Sequence, residues 1–471
     1  MNCPPRHSRR ELLGRAACGF GSTALAAMLA GEARGERSDP LAVGVPHFPA
    51  RAKRVIFLFL HGGMSHVDSF DKKPELVKRN GQPLPFAKPA FEFAPTGNLL
   101  ASPWKFRVHG GESGVEISDL FPEIGSVIDD ICVINSISGG KEVSHGPACL
   151  RLNTGDGTFN RPSLGAWTLY GLGTDNSDLP GFITLTPSLY HGGAQNYGSA
   201  FLPASYQGTS IGDGSAEFPR SVAIANVTPG RSRDVQRLQL DLLASANREH
   251  VERTGADARL DARIRAFETA FRMQTSIPRV FDLSSESKET LALYGIGEKP
   301  TDEYGRECLL ARRLAETGVR FIQVNHSYPR NYWDAHGGLR NNHSTNARKI
   351  DRPIAGLIRD LKRRGLFDDT LIVLGTEFGR TPAAQGNDGR DHHPHAFSIL
   401  MAGGGIRGGI RYGSTDEFGY YVVENKVTIP DFHATVLHLL GFDHRRLTFH
   451  HAGRDYRLTD VDGEVVRGIL A

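Results

Sequence analysis

The sequence predicts an α/β fold with a mostly parallel central sheet and helices on both faces. Three observations carry that expectation. Runs at 54–60 and 370–374 are short, apolar and near-continuous, as strands buried on both faces are, and 319–325 reads as a third strand. Segments with three- and four-residue apolar spacing, at 303–317 and 350–363, precede the runs at 319–325 and 370–374, giving the helix–strand alternation of a parallel sheet. Each run then ends in a polar stretch, where the carboxyl ends of parallel strands deliver side chains into a ligand crevice.

The 471 residues suffice for one large domain with insertions and a substantial core. Lys plus Arg number 55 and Asp plus Glu 52, a formal charge of +3 that lies partly in the N-terminus, so a nucleic-acid partner has no electrostatic support. No period of 20 to 50 residues recurs, which excludes a solenoid.

At the start, Ser8-Arg9-Arg10-Glu11-Leu12-Leu13 precedes an uncharged, mildly apolar segment at 16–30. This is the layout of a twin-arginine export signal, too short and weak for a stable membrane span. Residues 1–33 are therefore read as a leader, 34–50 as a Gly- and Pro-containing linker, and 51–471 as one domain with insertions at about 72–115 and 175–300. The mature chain is expected to be periplasmic or extracellular, without a transmembrane span. Beyond the leader Cys132, Cys149 and Cys308 have no paired spacing, and buried free thiols are expected.

The run at 54–60 leads into His61-Gly62-Gly63, where the glycines let the backbone turn sharply, with His66 and Asp68 close behind. Helical spacing follows at 117–129, a short strand at 131–135, a loop entering a helix at 144–155, and another helix at 164–172. β-prone pieces stand at 182–185 and 222–224, and one long helix is expected over 231–273, with Leu238 and Leu242 on its apolar stripe. The strand at 319–325 enters a loop containing Tyr328, Tyr332, Trp333, Asp334 and His336. Gly365 suits the end of the helix at 350–363. Glu377 lies just past the run at 370–374, and Asp391, His392, His393 and His395 crowd the next loop. A strand at 399–402 and a helix at 432–440 capped by Asp431 complete the order.

SRRELL, RVIFLFLHGGMSHVDSFDKKPEL, WDAHGG, DDTLIVLGTEFGRTP, GRDHHPHAF, AGGGIRGG, YGSTDEFGY and DFHATVLHLLG together resemble the bacterial exported family called domain of unknown function 1501. That family is similar in turn to the alkaline phosphatase and sulfatase superfamily, which implies a parallel sheet with a metal centre on the strand ends. On that resemblance Asp334 and His336 occupy a metal-ligand loop, Glu377 stands for the superfamily's Asp-His pair, and His392 or His393 matches its late histidine. His61 and Gly62 stand where aspartates are usual, and Asp68 is a substitute from further along. Pro147, Leu152, Thr154 and Gly155 fall in step with the nucleophile motif, but His145 replaces the nucleophile and Cys149 the arginine. Ser144 is one residue away.

A mixed Asp, Glu and His set suits Zn²⁺ or Mn²⁺ better than Ca²⁺ or Mg²⁺. Such an ion can activate water directly, with His145, His66 or His61 as base or oxyanion partner. Arg380 and Arg390 either grip a phosphate or sulfate group or pair with carboxylates such as Asp391 or Asp388. The expected function is metal-dependent hydrolysis of a sulfate or phosphate ester, a small anionic ester or a sulfated carbohydrate. The alternative is a catalytically silent relative serving as a binding or scaffold protein of the cell envelope.

Overall fold

A computed structural model describes residues 40–87, 95–110, 114–218, 231–255 and 258–471. The leader and the β-prone piece at 222–224 lie outside the described residues. Ten segments position the site: β1 (Arg54–Leu60), β2 (Ile131–Ser138), β3 (Phe182–Leu185), β4 (Thr209–Ile211), β5 (Phe321–His326), β6 (Thr370–Gly375), β7 (Gly379–Gln385), β8 (Gly389–His393), β9 (Phe397–Ala402) and β10 (Ile410–Tyr412). The central sheet runs β10-β2-β9-β6-β1-β5-β3-β4. From β6 to β4 every pairing is parallel, while β9 runs antiparallel to both β6 and β2. β3 and β4 come from the segment read as an insertion at 175–300, and they extend the sheet edge.

β1 lies at the centre because its continuous apolar run is buried on both faces. Ile56, Leu58 and Leu60 join a core cluster with Leu309, Leu310, Ile354 and Leu357. The last four come from the helices Asp302–Glu316 and Leu339–Arg363. Towards the other face Phe182 of β3 meets Phe321 of β5 edge to face at 5.0 Å, and a Cβ on Gly165 of the helix Leu164–Leu172 would strike the Phe182 ring. Helices therefore cover both faces, which is what a parallel sheet with no polar side requires.

Several elements differ from expectation for local reasons. The stretch 117–129 divides into a strand, Val115–Ser118, and a helix, Pro122–Gly125, because Pro122 suits a helix start but not its interior. The helix expected over 231–273 is two, Arg233–Thr254 and Ala258–Phe281, the first ending at Gly255 with φ +87°. Leu238 and Leu242, expected to face inwards, are 69% and 72% exposed. The helix expected from residue 350 begins at Leu339, and Thr428 rather than Asp431 caps the helix Ile429–Leu439, with Asp431 returning the bond three residues on.

β7 and β8, read as a loop, form an antiparallel hairpin. It is held to the turn after β1 by a buried ion pair: Arg390 Nε and Nη2 lie 2.7 and 3.1 Å from Asp68 Oδ2 and Oδ1, both side chains wholly buried. Ser65 donates a further bond to Asp68, and Arg390 donates to the carbonyls of Thr381 and Leu100. Removing one partner strands the other charge, so Arg390→Met is expected to cost about 3–5 kcal/mol in urea unfolding. The double change Arg390→Met with Asp68→Leu should recover most of that loss.

Candidate metal centre

The carboxyl ends of β1, β5 and β6 carry His61, the 327–338 loop and Glu377 to one place. Gly62 makes their approach possible. At φ +119° a Cβ there would lie 2.4 Å from the Trp333 nitrogen and 2.6 Å from that of Asp334. The Gly62 amide donates to both Glu377 oxygens, at 2.9 and 3.2 Å, and Thr376 Oγ1 donates to Oε2 at 3.1 Å.

Glu377 in turn accepts from His145 Nδ1 at 2.6 Å, at the start of the helix His145–Thr154. That bond fixes the His145 tautomer and turns Nε2 towards Asp334, whose Oδ2 lies 3.5 Å away. Nε2 is buried with no hydrogen-bond partner. His392 Nδ1 donates to the Val143 carbonyl at 2.6 Å, and His336 Nδ1 faces the Gln385 side-chain oxygen. Both rings thus aim Nε2 inwards: the two Nε2 atoms are 3.0 Å apart, and they lie 3.0 Å (His336) and 3.3 Å (His392) from Asp334 Oδ1.

Three imidazole nitrogens and one carboxylate facing each other without protons between them repel, unless a cation sits among them. Ligands around tetrahedral Zn²⁺ at 2.0–2.1 Å are roughly 3.3 Å from one another; His336 Nε2, His392 Nε2 and Asp334 Oδ1 lie 3.0 to 3.3 Å apart, and His145 Nε2 approaches the other carboxylate oxygen at 3.5 Å. His145, Asp334 and His392 offer ligand atoms all within 4.8 Å of each other. The residues fit a divalent ion, and His145 Nε2 is the orphaned atom that one would satisfy.

Electrostatics agree. Burial opposes ionisation of Asp334, but the imidazoles of His145, His336 and His392 beside it and the charge of Arg380 outweigh it and hold the carboxyl well below its usual range. Glu377 is pulled down to about 2 against the effect of burial, chiefly by His145. Burial keeps His392 neutral, at about 4. Burial also resists protonation of His145, but Asp334 and Glu377 outweigh it and raise its pKa, while the bond to Asp334 raises that of His336.

The structure does not bring every expected site residue here. Asp68 is committed to Arg390, which leaves neither available to a metal or an ester. Arg380 is also fully buried, donating to Asp334 at 2.5 Å and to the carbonyls of Gly63, Arg390 and Gly62, so it holds the carboxylate in place and has no exposed fork for an anion. Their ion-pair partners are Asp334 and Asp68, not Asp391 or Asp388. His66 and His393 stack at 6.0 Å and bond to the carbonyls of Gly419 and Tyr420, away from the cluster, so of the late pair His392 is the one at the centre. Trp333 is core, wholly buried with its indole N–H donating to His326.

His61 sits beside the cluster, lowered to about 4 by burial, with Nε2 2.9 Å from His191 Nδ1. His191 was not anticipated. It lies in the segment read as an insertion, at φ +53°, with its ring 5.1 Å from that of His145. A signal existed: His-Gly-Gly occurs four times in the chain, and three of those histidines, His61, His191 and His336, meet at this site.

The family model described as "Protein of unknown function (DUF1501)" matches residues 52–470. The chain belongs to the DUF1501 family. No curated protein matches it in sequence. Among solved structures this DUF1501 chain is similar to Ps i-CgsB in complex with k-i-k-neocarrahexaose, with 13% identity, 84% of this chain and 72% of that one covered, and a TM-score of 0.36. It is also similar to the PsFucS1 sulfatase from Pseudoalteromonas sp. (12%, 83% and 68%, 0.34) and to the alkaline phosphatase of the Antarctic bacterium TAB5 (11%, 78% and 96%, 0.31). At these identities and TM-scores the likeness carries no argument, and the DUF1501 site is read from its own residues.

Purified protein is expected to bind about one equivalent of Zn²⁺ or Mn²⁺, measured by plasma emission and titration calorimetry. Glu377→Gln, which weakens the hold on His145, should reduce affinity about 10–100-fold. Because His145 and His336 have raised pKa values, protons compete for the same nitrogens, so affinity should fall as pH drops from 8 to about 5.

Proposed function

We propose that the chain is a metal-dependent hydrolase of sulfate or phosphate esters, exported by the twin-arginine route and working in the periplasm or outside the cell. The observation that carries this reading is the convergence of three Nε2 atoms and Asp334 at the strand ends, each ring oriented by an acceptor on its far nitrogen. A divalent ion would be held by Asp334, His392 and His145, with His336 beside them, and would supply Lewis acidity towards an ester oxygen and towards water. Zn²⁺ or Mn²⁺ suits that donor set better than Ca²⁺ or Mg²⁺.

The side chains divide the remaining work. Glu377 keeps the His145 proton on Nδ1, Arg380 holds Asp334 in one position and balances its charge, and His61 holds His191 beside the centre, where its ring can accept or release a proton. His145 occupies the first turn of the helix in which the related enzymes' nucleophile is expected, so the reading uses activated water and no covalent protein intermediate. Among the described residues no helix is long and apolar enough to cross a membrane.

One observation favours a second reading, a catalytically silent binding protein of the envelope. The cluster can also be satisfied by protons, since Asp334 is already paired with Arg380 and raises the pKa of His145 and His336. Metal content and turnover separate the two. Hydrolysis of aryl sulfates or phosphates should require the ion, disappear with chelator, return with Zn²⁺ or Mn²⁺, and fall by about 10³-fold or more in Asp334→Ala, which removes a ligand outright. Parent and Asp334→Ala proteins with equal background rates, despite bound metal in the parent, would establish the silent reading.

A further inference from the structure

Tyrosine rings lead from solvent to the cluster, the first exposed and the next two half-buried. Leu189 and Tyr190 are 62% and 54% exposed. Tyr190 meets Tyr328 at 5.1 Å and 88°, Tyr328 meets Tyr332 at 4.8 Å and 65°, and Tyr332 lies 5.2 Å from His145. The adjoining residue, His191, turns the other way into the site. Its left-handed backbone, φ +53° followed by Gly192 at +97°, lets one short loop present Leu189 and Tyr190 to solvent and an imidazole to the cluster. A strained loop that leaves two large apolar side chains in water beside a reactive centre is explained more readily by a ligand than by packing.

The surroundings define that ligand. Two cations of the 330–349 segment are committed: Arg330 pairs with both oxygens of Glu303, and Lys349 donates to Asn331 Oδ1 at 2.8 Å. Arg380 and Arg390 are sealed beneath the site. The path therefore suits an uncharged ring. Its rings are stepped edge to face, so they offer single faces and not the parallel slot in which a planar aryl group gains most. A pyranose can lay its C–H face on one such ring while its hydroxyls reach the phenol groups.

We propose that Tyr190 and Tyr328, with Leu189, form a subsite for a pyranose ring of a glycan, the organic part of the ester presented to the metal centre. The proposal rests on the hydrolase reading for its link to turnover, but the sugar contact stands apart from it and is measured by binding. The metal-loaded full chain is applied to an array of neutral and sulfated oligosaccharides. The strongest hit is then titrated by calorimetry against the parent, Tyr190→Ala, Tyr190→Phe and Tyr328→Ala, with melting temperature and metal content recorded for each. A saccharide should bind, Tyr190→Ala and Tyr328→Ala should weaken it about tenfold or more, and Tyr190→Phe should keep most of the affinity. A blank array, equal binding by the alanine variants, or binding confined to aryl groups overturns the subsite. Saccharide binding that depends on Tyr190 in a protein that hydrolyses no ester would retain the subsite and reject the hydrolase reading; ester hydrolysis with a blank array would do the reverse.

Discussion

The Asp334 carboxylate is the constraint around which the strand ends are arranged. It carries a negative charge at a largely buried position, and His145, His336, His392 and Arg380 all approach it. A buried carboxylate without such partners would protonate or pull the loop into water. The geometry of the three imidazoles is therefore coupled to one anion, and each ring is further held from behind by Glu377, Gln385 or the Val143 carbonyl.

The two arginines show how charge is divided between chemistry and architecture. Arg380 neutralises the group at the centre, whereas Arg390 closes with Asp68 a contact that ties the β7–β8 hairpin to the first turn. The hairpin also reaches the 334–336 loop, because Arg390 N–H donates to the Ala335 carbonyl and Gly389 leaves room for that of His336. His336 and His392 face one another because of this seam.

Much of the fold was legible because burial on two faces writes continuous apolar runs, as in β1 and β6, and the order of the strands placed Glu377 and the 334–336 loop at one edge. The hairpin was not legible. Its strands carry Arg380, Arg390 and Asp391, buried charges that look like a solvated loop until their partners are known, and Asp68 and Arg390 are 322 residues apart. Sequence order also gave no sign that Glu377 hydrogen-bonds the far nitrogen of His145, since the two are 232 residues apart. His191 was missed because the segment around it has neither helical nor strand periodicity, although its His-Gly-Gly repeats the local chemistry of His61 and His336.

Several of the supports at the centre are main-chain groups: the Val143 carbonyl behind His392, the Gly62 amide on Glu377, and the Tyr328 amide, which donates to His61 Nδ1 at 3.4 Å. A side-chain replacement cannot delete a peptide group. Lineages that mutate an imidazole or the carboxylate would therefore inherit an intact mould of the centre, and a single reversion could bring lost chemistry back without rebuilding what surrounds it.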